Sequence, residues 1–138
     1  MNITAKVQNS EGQHHVMLST NDNVHSLTIP PRSTGSGSSA NGGELLFLAL
    51  ATCYCNDIYR EAGKRGLKVE QVEVEVKGEF GAEGEPARNV SYRARVTAKA
   101  SRAETQELMA QTDRLAEIQN TLRQATPVPL SDVEIVTI

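Results

Sequence analysis

Cys53 and Cys55 are the only thiols in the 138 residues, and they are the side chains best suited to nucleophilic or redox chemistry. A thiol attacks as its thiolate, so a reactive cysteine needs a nearby cation or hydrogen-bond donor and a path from solvent. Cys53 falls in an apolar run, with Asn56 and Asp57 one helical turn on. In such a run a cysteine also packs as a small hydrophobe, and both readings stay open at this level. Cys55 lies two residues on, roughly 200° around a helix, so the two sulfurs face apart. A Cys53–Cys55 disulfide would require the helix to unwind, and Cys55 reads as core packing.

Other chemistries lack their residues. His14 and His15 are neighbours that point to opposite faces of a strand, and His25 belongs to the next strand. No pair of cysteines has metal-ligand spacing, so no metal site is expected. There is no nucleophilic serine elbow and no dinucleotide fingerprint, so no cofactor is expected either. The Gly/Ser stretch from Arg32 to Gly43 resembles a phosphate loop only in composition, because it lacks the terminal Gly-Lys-Ser/Thr. It reads as a surface loop or linker, with a loop folded over a site as the alternative.

Cys53 must be positioned by a helix from about Glu44 to Arg65, apolar around much of its first half and polar in its second. Lys64 and Arg65 suit its negative end, and Gly66 supplies a stop. The start of this helix is about 15 Å from Cys53, so its dipole gives the thiol little help. Short strands are expected at Asn2–Val7, His14–Ser19 and Val24–Ile29, ended by Pro30 and Pro31. Leu67–Phe80 and Val90–Ala98 alternate as half-buried strands, and their Glu and Arg rows favour antiparallel pairing. Ser101–Gln124 is predicted helical, opened by a capping box at Ser101 and Glu104, with a break at Thr112–Asp113. Val133–Ile138 alternates as a final strand.

The whole is an α+β pattern of one-domain size, over residues 1–138. With two Phe, three Tyr and no Trp, the core must be aliphatic, and no stacking platform for nucleic acid is expected. The net charge of −3 and scattered basic residues likewise point away from nucleic acid. The longest apolar stretch, Leu45–Ala51, is too short to span a bilayer, so no membrane contact is expected. No secretory signal is visible, and free thiols suit the cytoplasm.

The run Asn41-Gly42-Gly43-Glu44-Leu45-Leu46-Phe47-Leu48-Ala49-Leu50-Ala51-Thr52-Cys53 resembles the signature helix of the OsmC-like, organic hydroperoxide resistance family. Lys64-Arg65-Gly66-Leu67-Lys68-Val69, the Glu/Val strand after it, and Asn120-Thr121-Leu122-Arg123 fit the same family. The resemblance implies an OsmC-like fold, with antiparallel sheets wrapped around long central helices in an intertwined homodimer. It also implies that Cys53 reduces organic hydroperoxides, activated by a glutamate and an arginine. The sequence departs from that pattern in three places. Ala116 stands where the family's second, resolving cysteine falls, so an external thiol reductant would be needed. Gly43 aligns with the family's glutamate, and Glu44 is one residue late. The N-terminal hairpin carries Lys6 and no arginine, leaving Arg32 as the substitute. Glu44 is about 13 Å along the helix from Cys53, so it could meet that sulfur only across a dimer.

Three functions follow. One is a cysteine-dependent peroxidase acting through Cys53, Glu44 and Arg32. A second is a non-catalytic dimer binding a small apolar ligand. The third is a structural or partner-binding dimer.

Overall fold

The computed structural model describes residues 1–138, which gather into two compact units, Met1–Leu46 and Phe47–Ile138.

The first unit is a three-stranded antiparallel meander, β1 (Ile3–Ser10), β2 (Gln13–Thr20) and β3 (Asn23–Ser26), in the order β1-β2-β3. Asn21 and Asp22 both have positive φ, 47° and 68°. This is the tight hairpin geometry that Asn and Asp tolerate best among residues with side chains. Strand β3 ends short of the expected Ile29, although Leu27 N–H still donates to Val16 O at 3.3 Å.

The Gly/Ser stretch is a closed loop rather than an open linker. Arg32 N–H donates to Gly37 O at 3.1 Å, and Ser39 N–H to Pro30 O at 2.9 Å. The Asn9 side chain grips both backbone groups of Gly37, accepting from its N–H at 2.8 Å and donating to its carbonyl at 3.1 Å. Composition reads as flexible here because glycine and serine are small. The hydrogen bonds that close the loop come partly from β1, more than twenty residues upstream.

Helix α1 (Gly42–Lys64) starts at the end of the first unit and runs through the second. Asn41 caps it: its Oδ1 accepts Glu44 N–H at 2.8 Å, and Glu44 Oε1 accepts Asn41 N–H at 3.0 Å. Leu50, Tyr54, Ile58 and Ala62 recur every fourth residue and are all buried, which is the spacing of one helix face. Leu67 N–H closes the C-terminal end on Ala62 O at 2.9 Å, with Gly66 at φ 66° supplying the left-handed turn.

In the second unit β4 (Lys68–Glu79) and β5 (Arg88–Lys99) pair antiparallel. Glu73 faces Arg95 and Glu75 faces Arg93, as the charge rows anticipated. The alternate positions Val72, Val74, Tyr92, Ala94 and Val96 pack on the buried cluster of Tyr54, Ile58, Ala62 and Leu108. Gly78 lets the Phe47 ring approach the strand, since a Cβ there would stand 2.8 Å from that ring.

Helix α2 (Arg102–Leu115) opens with the expected capping box of Ser101 and Glu104. Its break falls at Ala116, not at Thr112–Asp113, and α3 (Glu117–Arg123) follows. Thr112 stays helical because it is fully buried and its hydroxyl donates to Leu108 O at 2.7 Å, which removes the competition that makes threonine a helix-ender. The final strand is absent. Val133, Ile135 and Val136 are 63%, 79% and 81% exposed, and the segment has no neighbouring strand in this chain to ladder with. No helix is long and apolar enough to cross a membrane.

Candidate functional site

Cys53 stands on α1 where α3 begins against it. Its Sγ lies 3.7 Å from Asp57 Oδ2, one turn further along α1, and 3.7 Å from Glu117 Oε2, the first residue of α3. A thiol has one proton, so it donates to one carboxylate at a time. The Ile118 backbone N–H also reaches the sulfur.

Behind the carboxylates stands Arg60. Its Nη1 meets Asp57 Oδ1 at 3.0 Å and Glu117 Oε1 at 3.4 Å, while its Nε meets Glu61 Oε1 at 2.9 Å. Asp57 and Glu117 therefore divide their oxygens in the same way, one toward the guanidinium and one toward the sulfur. The Asp57 side chain is only 8% exposed, whereas that of Glu117 is 62% exposed. The site has a buried wall and a solvent side.

These surroundings set the protonation states. Burial pushes the Cys53 thiol up; the Ile118 N–H pulls it down, but the charges of Asp57 and Glu117 add to the rise. Burial also raises the Asp57 carboxyl, and the neighbouring Glu117 adds to it; Arg60 offsets part of the rise. Glu117 moves the other way, held down by its own backbone N–H at the helix start, by Asp57 and by Arg60. Two adjacent carboxyls are thus driven apart, Asp57 toward the neutral acid and Glu117 toward the anion.

The other expected site residues lie in the first unit. The Glu44 carboxylate is engaged in capping α1 through Asn41. Arg32 folds over its own loop, where a Cβ at Gly37 would stand 3.1 Å from Arg32 Nε. Cys53 and Cys55 are both free thiols of intermediate burial. Of the groups around the sulfur, Asp57 was legible from its spacing. Glu117 lies 64 residues away in sequence and carried no signal. Arg60 read only as part of a polar helix end.

A second network fixes α3, and with it Glu117. Arg123 Nη2 meets Asp113 Oδ1 at 2.8 Å and its Nη1 donates to Asp113 O at 3.1 Å, tying α3 to α2. The Tyr92 hydroxyl of β5 donates to the same Asp113 oxygen. Burial works to raise Asp113, but the hydrogen bonds of Tyr92 and Arg123 outweigh it and hold the carboxyl below its usual range. A carboxyl depressed by folding stabilises fully above its unfolded value of about 3.9, and that contribution is lost as pH falls through the lower folded value. Asp113→Asn is therefore expected to lose stability at neutral pH, by about 1 kcal/mol, with the gap to the parent protein closing under strong acid. Urea unfolding of both proteins at neutral and acid pH checks this; a pH-independent gap would place the effect in packing instead.

Residues 35–131 match the family described as OsmC-like protein. Among solved structures, an OsmC-like protein from Mycoplasma pneumoniae is 15% identical with a TM-score of 0.61, over 89% of each chain. A Legionella pneumophila protein described as an organic hydroperoxide resistance protein OsmC is 22% identical with a TM-score of 0.57, over 89% of this chain and 90% of that one. The organic hydroperoxide resistance protein OhrB of Bacillus subtilis is 18% identical with a TM-score of 0.53, over 87% and 90%. None of the curated proteins matches the sequence.

Proposed function

The chain belongs to the OsmC-like protein family, and on that premise we propose that it is a cysteine-dependent reductase of organic hydroperoxides, with Cys53 as the reacting thiol. The observation that carries this reading is the placement of one thiol 3.7 Å from each of two carboxylates, whose proton affinities their surroundings shift in opposite directions. The anionic Glu117 takes the thiol proton as the peroxide arrives. Sulfur attacks the terminal oxygen of the hydroperoxide, the O–O bond breaks, and Cys53 becomes a sulfenic acid. The departing alkoxide takes that proton back from Glu117 and leaves as an alcohol.

Ala116 is fully buried beside Glu117, and it offers no second thiol. An external thiol must condense with the sulfenic acid, releasing water, and a second must reduce the mixed disulfide. Glu44 and Arg32 enter this proposal from a second copy, in a homodimer. The exposed apolar side chains Leu48, Val133, Ile135 and Val136 suit such a pairing. Free thiols fit a cytoplasmic setting.

One observation favours a second reading, a non-catalytic protein binding a small apolar ligand: the thiol is pushed up, away from the thiolate. The pH dependence of Cys53 alkylation separates the two when read with Glu117→Gln. In the parent protein the midpoint lies above that of an ordinary thiol. If Glu117 is the proton acceptor, Glu117→Gln lowers the midpoint by removing a negative charge yet slows peroxide consumption by about 100-fold. Equal peroxide consumption in the two proteins would remove Glu117 from the mechanism.

A further inference from the structure

The sulfur and the two carboxylates also have the arrangement of a metal-binding set. Cys53 Sγ and one oxygen each of Asp57 and Glu117 lie within 4.8 Å of one another. Both S···O separations are 3.7 Å. Around a tetrahedral ion with ordinary zinc–sulfur and zinc–oxygen bonds, such ligands stand about 3.5 Å apart. Little movement would bring them to one ion.

Arg60 already does what an outer shell does. It holds the far oxygen of each carboxylate, at 3.0 and 3.4 Å, and so aims the near oxygens at the sulfur. Formal charge agrees: a thiolate and two carboxylates beside one guanidinium leave two negative charges, which a divalent ion balances. One thiolate with two carboxylates is a borderline donor set, softer than calcium or magnesium prefer.

Gln119 ties together the two helices that carry these ligands: its side-chain amide donates from α3 to Leu50 O of α1 at 3.0 Å, one turn before Cys53.

We propose that Cys53, Asp57 and Glu117 form a site for a divalent ion of the zinc type, oriented by Arg60 and completed on its open side by water. The ion stands on the sulfur's lone pairs, so it blocks attack on a peroxide. That regulatory consequence rests on the peroxidase reading; the binding does not. No zinc motif foreshadows the site, because its ligands come from two helices far apart in sequence.

The test uses the reduced full-length protein with Co2+ and Zn2+ as probes. Co2+ is expected to give a thiolate-to-cobalt charge-transfer band, displaced by one equivalent of Zn2+ in calorimetry. The band disappears in Cys53→Ser and persists in Cys55→Ala, and Zn2+ affinity falls by about tenfold or more in Glu117→Gln. A band that survives Cys53→Ser, no band at all, or Zn2+ affinity indifferent to Glu117→Gln would each overturn the site. Peroxide consumption by metal-free protein is measured alongside. Inactive protein with the expected band keeps the metal site and removes the peroxidase; active protein without the band does the reverse.

Discussion

Cys53→Ser is expected to consume no organic hydroperoxide, while the parent protein, given a stoichiometric amount, gains one oxygen on Cys53. The expectation follows from the chemistry of the two atoms. A serine hydroxyl occupies the same place between Asp57 and Glu117 but ionises far less readily, and its oxygen does not accept an oxygen atom as sulfur does. The fold should be indifferent, since the exchange is nearly isosteric at a half-buried position. Mass spectrometry of peptides covering Cys53 and Cys55 reads the outcome directly. Oxygen appearing at Cys55 would exchange the roles given to the two thiols. Turnover unchanged in Cys53→Ser would end the peroxidase reading. Cys55→Ala is the control: it should keep its activity and lose only packing.

Leu108→Ala should cost roughly 3 kcal/mol of unfolding free energy, the largest stability effect expected of a single change here. Leu108 is completely buried, and it meets Tyr54, Ile58 and Ala62 of α1 in one cluster lined by β4 and β5. Truncation removes transferred apolar surface and leaves a cavity that the rigid strands cannot collapse into. Fully buried apolar residues are few in this chain, so each carries a large share of a stability that is normally only about 5–15 kcal/mol. A fall in the urea midpoint with an unchanged slope is the expected signature. A loss below about 1 kcal/mol would mean that α2 is not seated on α1 as described.

Both expectations depend on how much of the molecule local sequence can specify. Leu50, Tyr54, Ile58 and Ala62 lie at four-residue intervals, and the strands β4 and β5 alternate, so helix and sheet follow from periodicity alone. Ser101 and Glu104 meet in a cap because they are three residues apart. Where the expectation failed, burial or the lack of a partner strand was responsible. Thr112 was expected to break a helix, but burial and its bond to Leu108 O kept it in place. Val133–Ile138 alternates like a strand, yet alternation without a neighbouring ladder makes none.

The amino-acid sequence by itself determined most of the elements and their order, because each depends on residues within a few positions of one another, and it singled out Cys53 as the candidate thiol. What surrounds that sulfur was decided only in three dimensions. The break at Ala116 swings Glu117 across 64 residues of chain to stand opposite Asp57, and Arg60 orients both. Within this chain, the side chains that reach the thiol are a pair of carboxylates. Electrostatic fields act through space, and the nearest charge to an atom need not be near it along the chain.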